Sequence, residues 1–111
     1  MQNTDTTSKE MRDAIRKAYA DYSELMDDID TLDKARDLYI RIGKRPLLGY
    51  FDMLERILKQ RRTLESSIID QVKEYFEEYS TLENLEKYLD GLVGPSAHVC
   101  ALEDLTGENF M

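Results

Sequence analysis

"MRDAIRKAYADYSELMDDIDTL", residues 11–32, decides the fold. Apolar side chains recur at Met11, Ile15, Ala18, Tyr22, Leu25, Ile29 and Leu32, with spacings of 4, 3, 4, 3, 4 and 3. An α-helix gathers such positions onto one stripe, whereas a strand would scatter them over both of its faces. Sustained for about three heptads, the stripe is a seam built to pack against another helix. Arg36 takes the next seam position and Ile40 follows it.

Upstream, Thr7 and Glu10 have the spacing of a capping box, which places a helix start at residue 7 and leaves residues 1–6 as a frayed terminus. Downstream, Gly43 suits a left-handed helix end, and Pro46 disfavours helical geometry at Arg45. The first helix is therefore expected over 7–42, with a bend near Thr31 allowed by Asp27, Asp28 and Asp30. Pro46 is suited to the first position of a second helix. Over 46–79, Tyr50, Leu54, Ile57, Leu64, Ile68, Val72, Tyr75 and Tyr79 share a face that Arg61 interrupts. Thr63, Ser66 and Ser67 weaken its middle, so one helix or two are allowed. Ser80 with Glu83 opens a third helix over 81–92, and residues 95–111 read as a tail with one helical turn at "ALEDL".

Two helices of similar length, each on the order of 50 Å, joined by a few residues form an antiparallel hairpin. The expected fold class is all-α: a long antiparallel helical hairpin, coiled-coil-like, plus a short third helix and a C-terminal tail, in a single domain. A hairpin buries one stripe of each helix, so a homodimer completing a four-helix bundle is the expected assembly.

Composition agrees with few, long elements: the 111 residues include only 2 Pro and 5 Gly. The net charge of −8 is uneven. Residues 1–40 carry −4, residues 63–111 carry −9, and residues 41–62, "RIGKRPLLGYFDMLERILKQRR", carry +5. The overall field disfavours non-specific binding to nucleic acid or an anionic membrane. With no hydrophobic signal segment and no apolar run near 18 residues, the chain is expected to be soluble and cytoplasmic, with no membrane partner.

Enzyme chemistry finds little footing. One histidine, His98, and one cysteine, Cys100, are too few for a closed zinc site, and no Glu-x-x-His pair exists for a di-iron bundle. His98 and Cys100 would point the same way only on a strand. A catalytic pair usually meets from distant segments. "RIGKRPLLG" lacks the Gly-Lys-Ser/Thr ending of a phosphate loop. No catalytic residue, metal or cofactor is expected.

Three sets of residues remain as candidates. Arg41, Lys44, Arg45, Lys59 and Arg62 form a basic elbow with a nucleic-acid reading, although no aromatic–basic alternation accompanies it. Arg36 and Arg61 sit in the seam, where an arginine commonly fixes register or partner choice. Across the hairpin, Asp52 or Glu55 is the expected partner of Arg36, and Glu24 or Asp28 that of Arg61. The last candidate is the tail "CALEDLTGENFM", whose Leu102, Asp104, Leu105, Phe110 and Met111 alternate apolar and acidic character. It resembles the acidic–hydrophobic C-termini by which phage polymerases and late-transcription coactivators engage a sliding clamp, and departs from them in placing Gly107 and Glu108 inside the motif. That resemblance implies docking in a groove on a protein partner.

The expected function is a small acidic, non-enzymatic protein–protein interaction module: a regulator, adaptor or assembly chaperone acting through helix faces. The alternative is a phage-type transcription or replication accessory factor, with the basic elbow on nucleic acid and the tail on a protein.

Overall fold

A computed structural model describes residues 4–44 and 48–111. Four helices follow in order: α1 (Thr4–Arg41), α2 (Leu48–Tyr79), α3 (Leu82–Leu89) and α4 (Pro95–Thr106). The described residues are 85% helical and contain no strand. α1 packs along α2 as a hairpin, and α3 and α4 pack on α2 and on each other. The molecule is elongated, 64 × 31 × 20 Å.

α1 runs unbroken for 38 residues and begins before Thr7, so Thr7 and Glu10 lie inside the helix instead of capping it. The break allowed near Thr31 does not occur: α1 is continuous there, and the Thr31 hydroxyl donates back to the Asp27 carbonyl at 3.0 Å. The helix closes on a Schellman turn. Gly43, at φ +74°, donates its N–H to Ile40, and the Lys44 N–H reaches back to Tyr39 at 2.9 Å. Glycine adopts that left-handed conformation without the steric cost a Cβ brings. The expected roles of Arg45 and Pro46 lie outside the described residues.

α2 is continuous through Thr63, Ser66 and Ser67. Thr63 donates to the Lys59 carbonyl, and Ser67 accepts from Gln71, so both hydroxyls are bonded within the helix. α3 is shorter than 81–92. Its N-cap is Thr81, not Ser80: the Thr81 oxygen accepts from the Asn84 N–H at 3.0 Å. Asp90 ends it in a left-handed conformation, and Leu92 is left 65% exposed.

The expected tail is instead mostly helix. Pro95 occupies the first turn of α4, and Gly107, left-handed at φ +74°, closes the helix with its N–H on Glu103. Pro95, His98, Val99, Ala101 and Leu102 are all buried, so tertiary contact stabilises a segment with weak helical patterning of its own.

The core is one-sided along the hairpin. Ile15, Tyr19, Ile68, Val72, Tyr75, Phe76, Leu85, Val99, Ala101, Leu102 and Phe110 form one buried cluster. Of the described residues between Tyr22 and Ile68, only Leu25 and Tyr50 are buried. α3 and α4 therefore cover the end of the hairpin far from the elbow, and the elbow half is a bare pair of helices.

Candidate functional site

Two surfaces result from this layout. The first is a clasp that holds residues 107–111 against α1. Arg12 and Arg16, one helical turn apart, both pair with the Glu108 carboxylate; the Arg16 contact is 2.6 Å. Arg16 Nε also donates to the Asn109 carbonyl at 3.1 Å, and its guanidinium lies 4.3 Å from the centre of the Phe110 ring. From α4, Glu103 accepts the Phe110 N–H at 2.8 Å. The Glu108 N–H donates to the Thr106 hydroxyl at 3.2 Å, and Phe110 seats with only 6% exposure.

This arrangement corrects the tail expectation. Leu102 and Phe110 are buried in the protein's own core and Leu105 is half-buried, whereas Asp104 and Met111 remain exposed. A free acidic–hydrophobic tail would need Leu102 and Phe110 accessible.

The second surface is the elbow half. Arg41, Lys44, Lys59 and Arg62 are exposed, and no ion pair holds any of them among the described residues. Arg45 lies outside the described residues. Leu38, Ile40, Ile42, Phe51 and Met53 are each more than half exposed on the same half of the molecule.

The seam arginines do not make the expected cross-hairpin pairs. Arg36 turns to its chain neighbour Asp37, at 3.7 Å, with its side chain 45% exposed. Arg61 is half-buried and forms no ion pair among the described residues, and its Nε is shielded without a hydrogen-bond partner. Helical phase explains both outcomes, since Glu24, Asp28, Asp52 and Glu55 all face solvent instead of the seam. The polar contact that does cross the hairpin there is Tyr22, whose hydroxyl donates to Glu65 at 3.3 Å. Burial, and then the Glu65 carboxylate, push the Tyr22 phenol above its ordinary range, and the Arg61 charge opposes them.

His98 and Cys100 do not form a pair. Two residues along a helix lie about 200° apart, so His98 points into the core while Cys100 is exposed. His98 donates from Nδ1 to the Gly94 carbonyl at 2.7 Å and closes the first turn of α4. Partial burial, then Glu103 and Asp104, push the Cys100 thiol up, the direction that lowers nucleophilicity at neutral pH. No cluster of three or more His, Cys, Asp or Glu suited to a metal occurs among the described residues. Among them no helix is long and apolar enough to cross a membrane.

Sequence reasoning missed the clasp. Arg12 and Arg16 at i, i+4 read as ordinary polar-face residues, and nothing local links them to Glu108 more than ninety positions away. No family model, no curated protein and no solved structure matches the chain. Fold and surface together define the class: an all-α helical hairpin whose distal half carries two shorter helices.

Proposed function

We propose that this protein is a small acidic, non-enzymatic, cytoplasmic interaction module, a regulator, adaptor or assembly chaperone that binds protein through the helix faces of its elbow half. One observation carries this reading: the core stops at Tyr22 and Ile68, and the helices beyond present Leu38, Ile40, Ile42, Phe51 and Met53 to solvent. Exposed apolar side chains clustered on one part of a molecule mark interaction sites. The fate of the reactive side chains points the same way, with His98 committed to capping α4 and the Cys100 thiol disfavoured as a nucleophile. The test is photo-crosslinking in the native host from a reactive residue at position 51 or 53, with position 77 on α2 as control. Adducts from 51 and 53 but not from 77 support the reading; an equal pattern from all three overturns it.

A second reading rests on the exposed cations Arg41, Lys44, Lys59 and Arg62: an accessory factor that grips nucleic acid at the elbow. It predicts salt-dependent DNA or RNA binding that Lys44→Glu weakens. Absence of any shift at low salt removes it.

A further inference from the structure

We infer that the elbow half docks on a second copy of this chain, in antiparallel register, through a self-complementary charge stripe on α1. The inference deepens the interaction reading above by naming the partner and the face.

The face comes from helical phase. Arg16 of α1 and Phe76 of α2 lie under the covering layer of the distal half, Arg16 against Phe110 and Phe76 against Tyr88 of α3. A step of 18 residues is about five turns, so Lys34 repeats the direction of Arg16 and Leu58 repeats that of Phe76. The face covered distally by α3, α4 and the clasp therefore continues toward the elbow with nothing over it. On α2 it carries Leu58, half-buried, and Phe51, 61% exposed.

On α1 the same face carries Asp27, Asp30, Lys34, Asp37 and Arg41, at spacings of 3, 4, 3 and 4; Lys44 follows just past the cap. All six are exposed. Among the described residues, the ion pairs these side chains make are Asp30 with Lys34 and Asp37 with its neighbour Arg36, all of them solvent-exposed. Read against itself in reverse, the stripe matches at every position. Asp27 meets Lys44 of the second copy, Asp30 meets Arg41, Lys34 meets Asp37, and the symmetry repeats each pair. The two-fold then passes between residues 35 and 36. Counting inward from the Tyr22–Glu65 contact, these residues lie across the hairpin from 51 and 52, so the axis brings Phe51 beside its own copy.

Net charge favours the same overlap. Residues 23–64 carry a net +1, and the remainder of the chain carries −9. Antiparallel docking stacks the nearly neutral halves and sends the acidic halves to opposite ends, where mutual repulsion is weakest.

The test uses two charge-reversed full-length chains: Asp27→Lys with Asp30→Lys, and Arg41→Glu with Lys44→Glu. Each alone places like charges at both ends of the stripe, whereas an equimolar mixture restores opposite charges at every position. In analytical ultracentrifugation the parent chain is expected to dimerise, and added salt to weaken the dimer. Each variant alone is expected to dissociate at least about tenfold more readily, with the mixture recovering the parental mass. Far-UV circular dichroism verifies that all three chains keep their helix. A second measurement does not depend on charge reversal: chains bearing Lys34→Cys and Asp37→Cys, in a Cys100→Ser background, should form a mixed disulfide in preference to either homodisulfide. A parent chain that stays monomeric at high micromolar concentration, variants that dimerise unchanged, or a mixture that fails to recover overturns the inference. A monomeric parent that still crosslinks to another protein from position 51 leaves the interaction reading standing.

Discussion

The Arg16 guanidinium lies over the Phe110 ring, 4.3 Å from its centre, while the same side chain pairs with Glu108 at 2.6 Å. One α1 residue thus holds both the charge and the aromatic ring of the segment after α4. Phe110→Ala should cost about 3 kcal/mol in urea unfolding, because it empties a buried aromatic site. Arg16→Ala should cost about 1 to 2 kcal/mol after discounting for its partial exposure. Arg16→Lys should fall between Arg16→Ala and the parent, since it keeps the charge and loses the guanidinium fork that reaches both Glu108 and the Asn109 carbonyl. Equal stability of Arg16→Ala and the parent would remove the clasp as a stabilising feature.

The two halves of the hairpin should respond differently to truncation. Phe76 is fully buried, so Phe76→Ala should destabilise by about 3 to 5 kcal/mol. Leu38 is 52% exposed, so Leu38→Ala should change stability by less than about 0.5 kcal/mol. Comparable thermal shifts for the two variants would contradict the one-sided core.

Thr81 and Ser80 compete for the start of α3, and the structure gives the cap to Thr81. Thr81→Ala should cost about 1 kcal/mol and speed amide exchange in Asn84. Ser80→Ala loses only a side-chain contact with Asn84 and should cost less. The opposite ranking would move the helix start back by one residue.

The Cys100 thiol is held above its ordinary range by partial burial and by Glu103 and Asp104. A raised pKa favours the protonated form, so less thiolate is present at neutral pH than on a free cysteine. Iodoacetamide should therefore label the folded protein more slowly than a small thiol at pH 7, and its rate should rise to a plateau at higher pH than that of the small thiol. Glu103→Gln should move that midpoint down. A labelling midpoint below that of the free thiol would reverse the assigned electrostatics.

Local periodicity made the hairpin legible. The seam from Met11 to Leu32 has a period only an α-helix satisfies, and Gly43 marks its end. Thr63 and Ser67 were ambiguous because a hydroxyl either competes with a helix or bonds back into it, and only the folded ladder decides. α4 is read as a tail from sequence because Gly94 and Pro95 mark the close of one helix as readily as the start of the next, and its one-sided stripe of Pro95, His98, Val99, Ala101 and Leu102 is short and includes a proline and a histidine. The seam positions of Arg36 and Arg61 were readable, but their partners were not, since pairing depends on which carboxylates turn inward. The clasp of Arg12, Arg16 and Glu108 joins positions too far apart for any local pattern to connect.

The reach of that clasp also orders events during synthesis. Ile15 and Tyr19 belong to the first helix made, yet the residues that complete their cluster are Val99, Ala101, Leu102 and Phe110. Until residues 95–110 have been synthesised, Ile15 and Tyr19 lack the partners that complete their burial. Contacts this distant make closure slow for an all-helical chain and leave the early half exposed to misassociation. The scatter of charge along α1 then gains a further use, keeping a long, half-covered helix dispersed while it waits for its last layer.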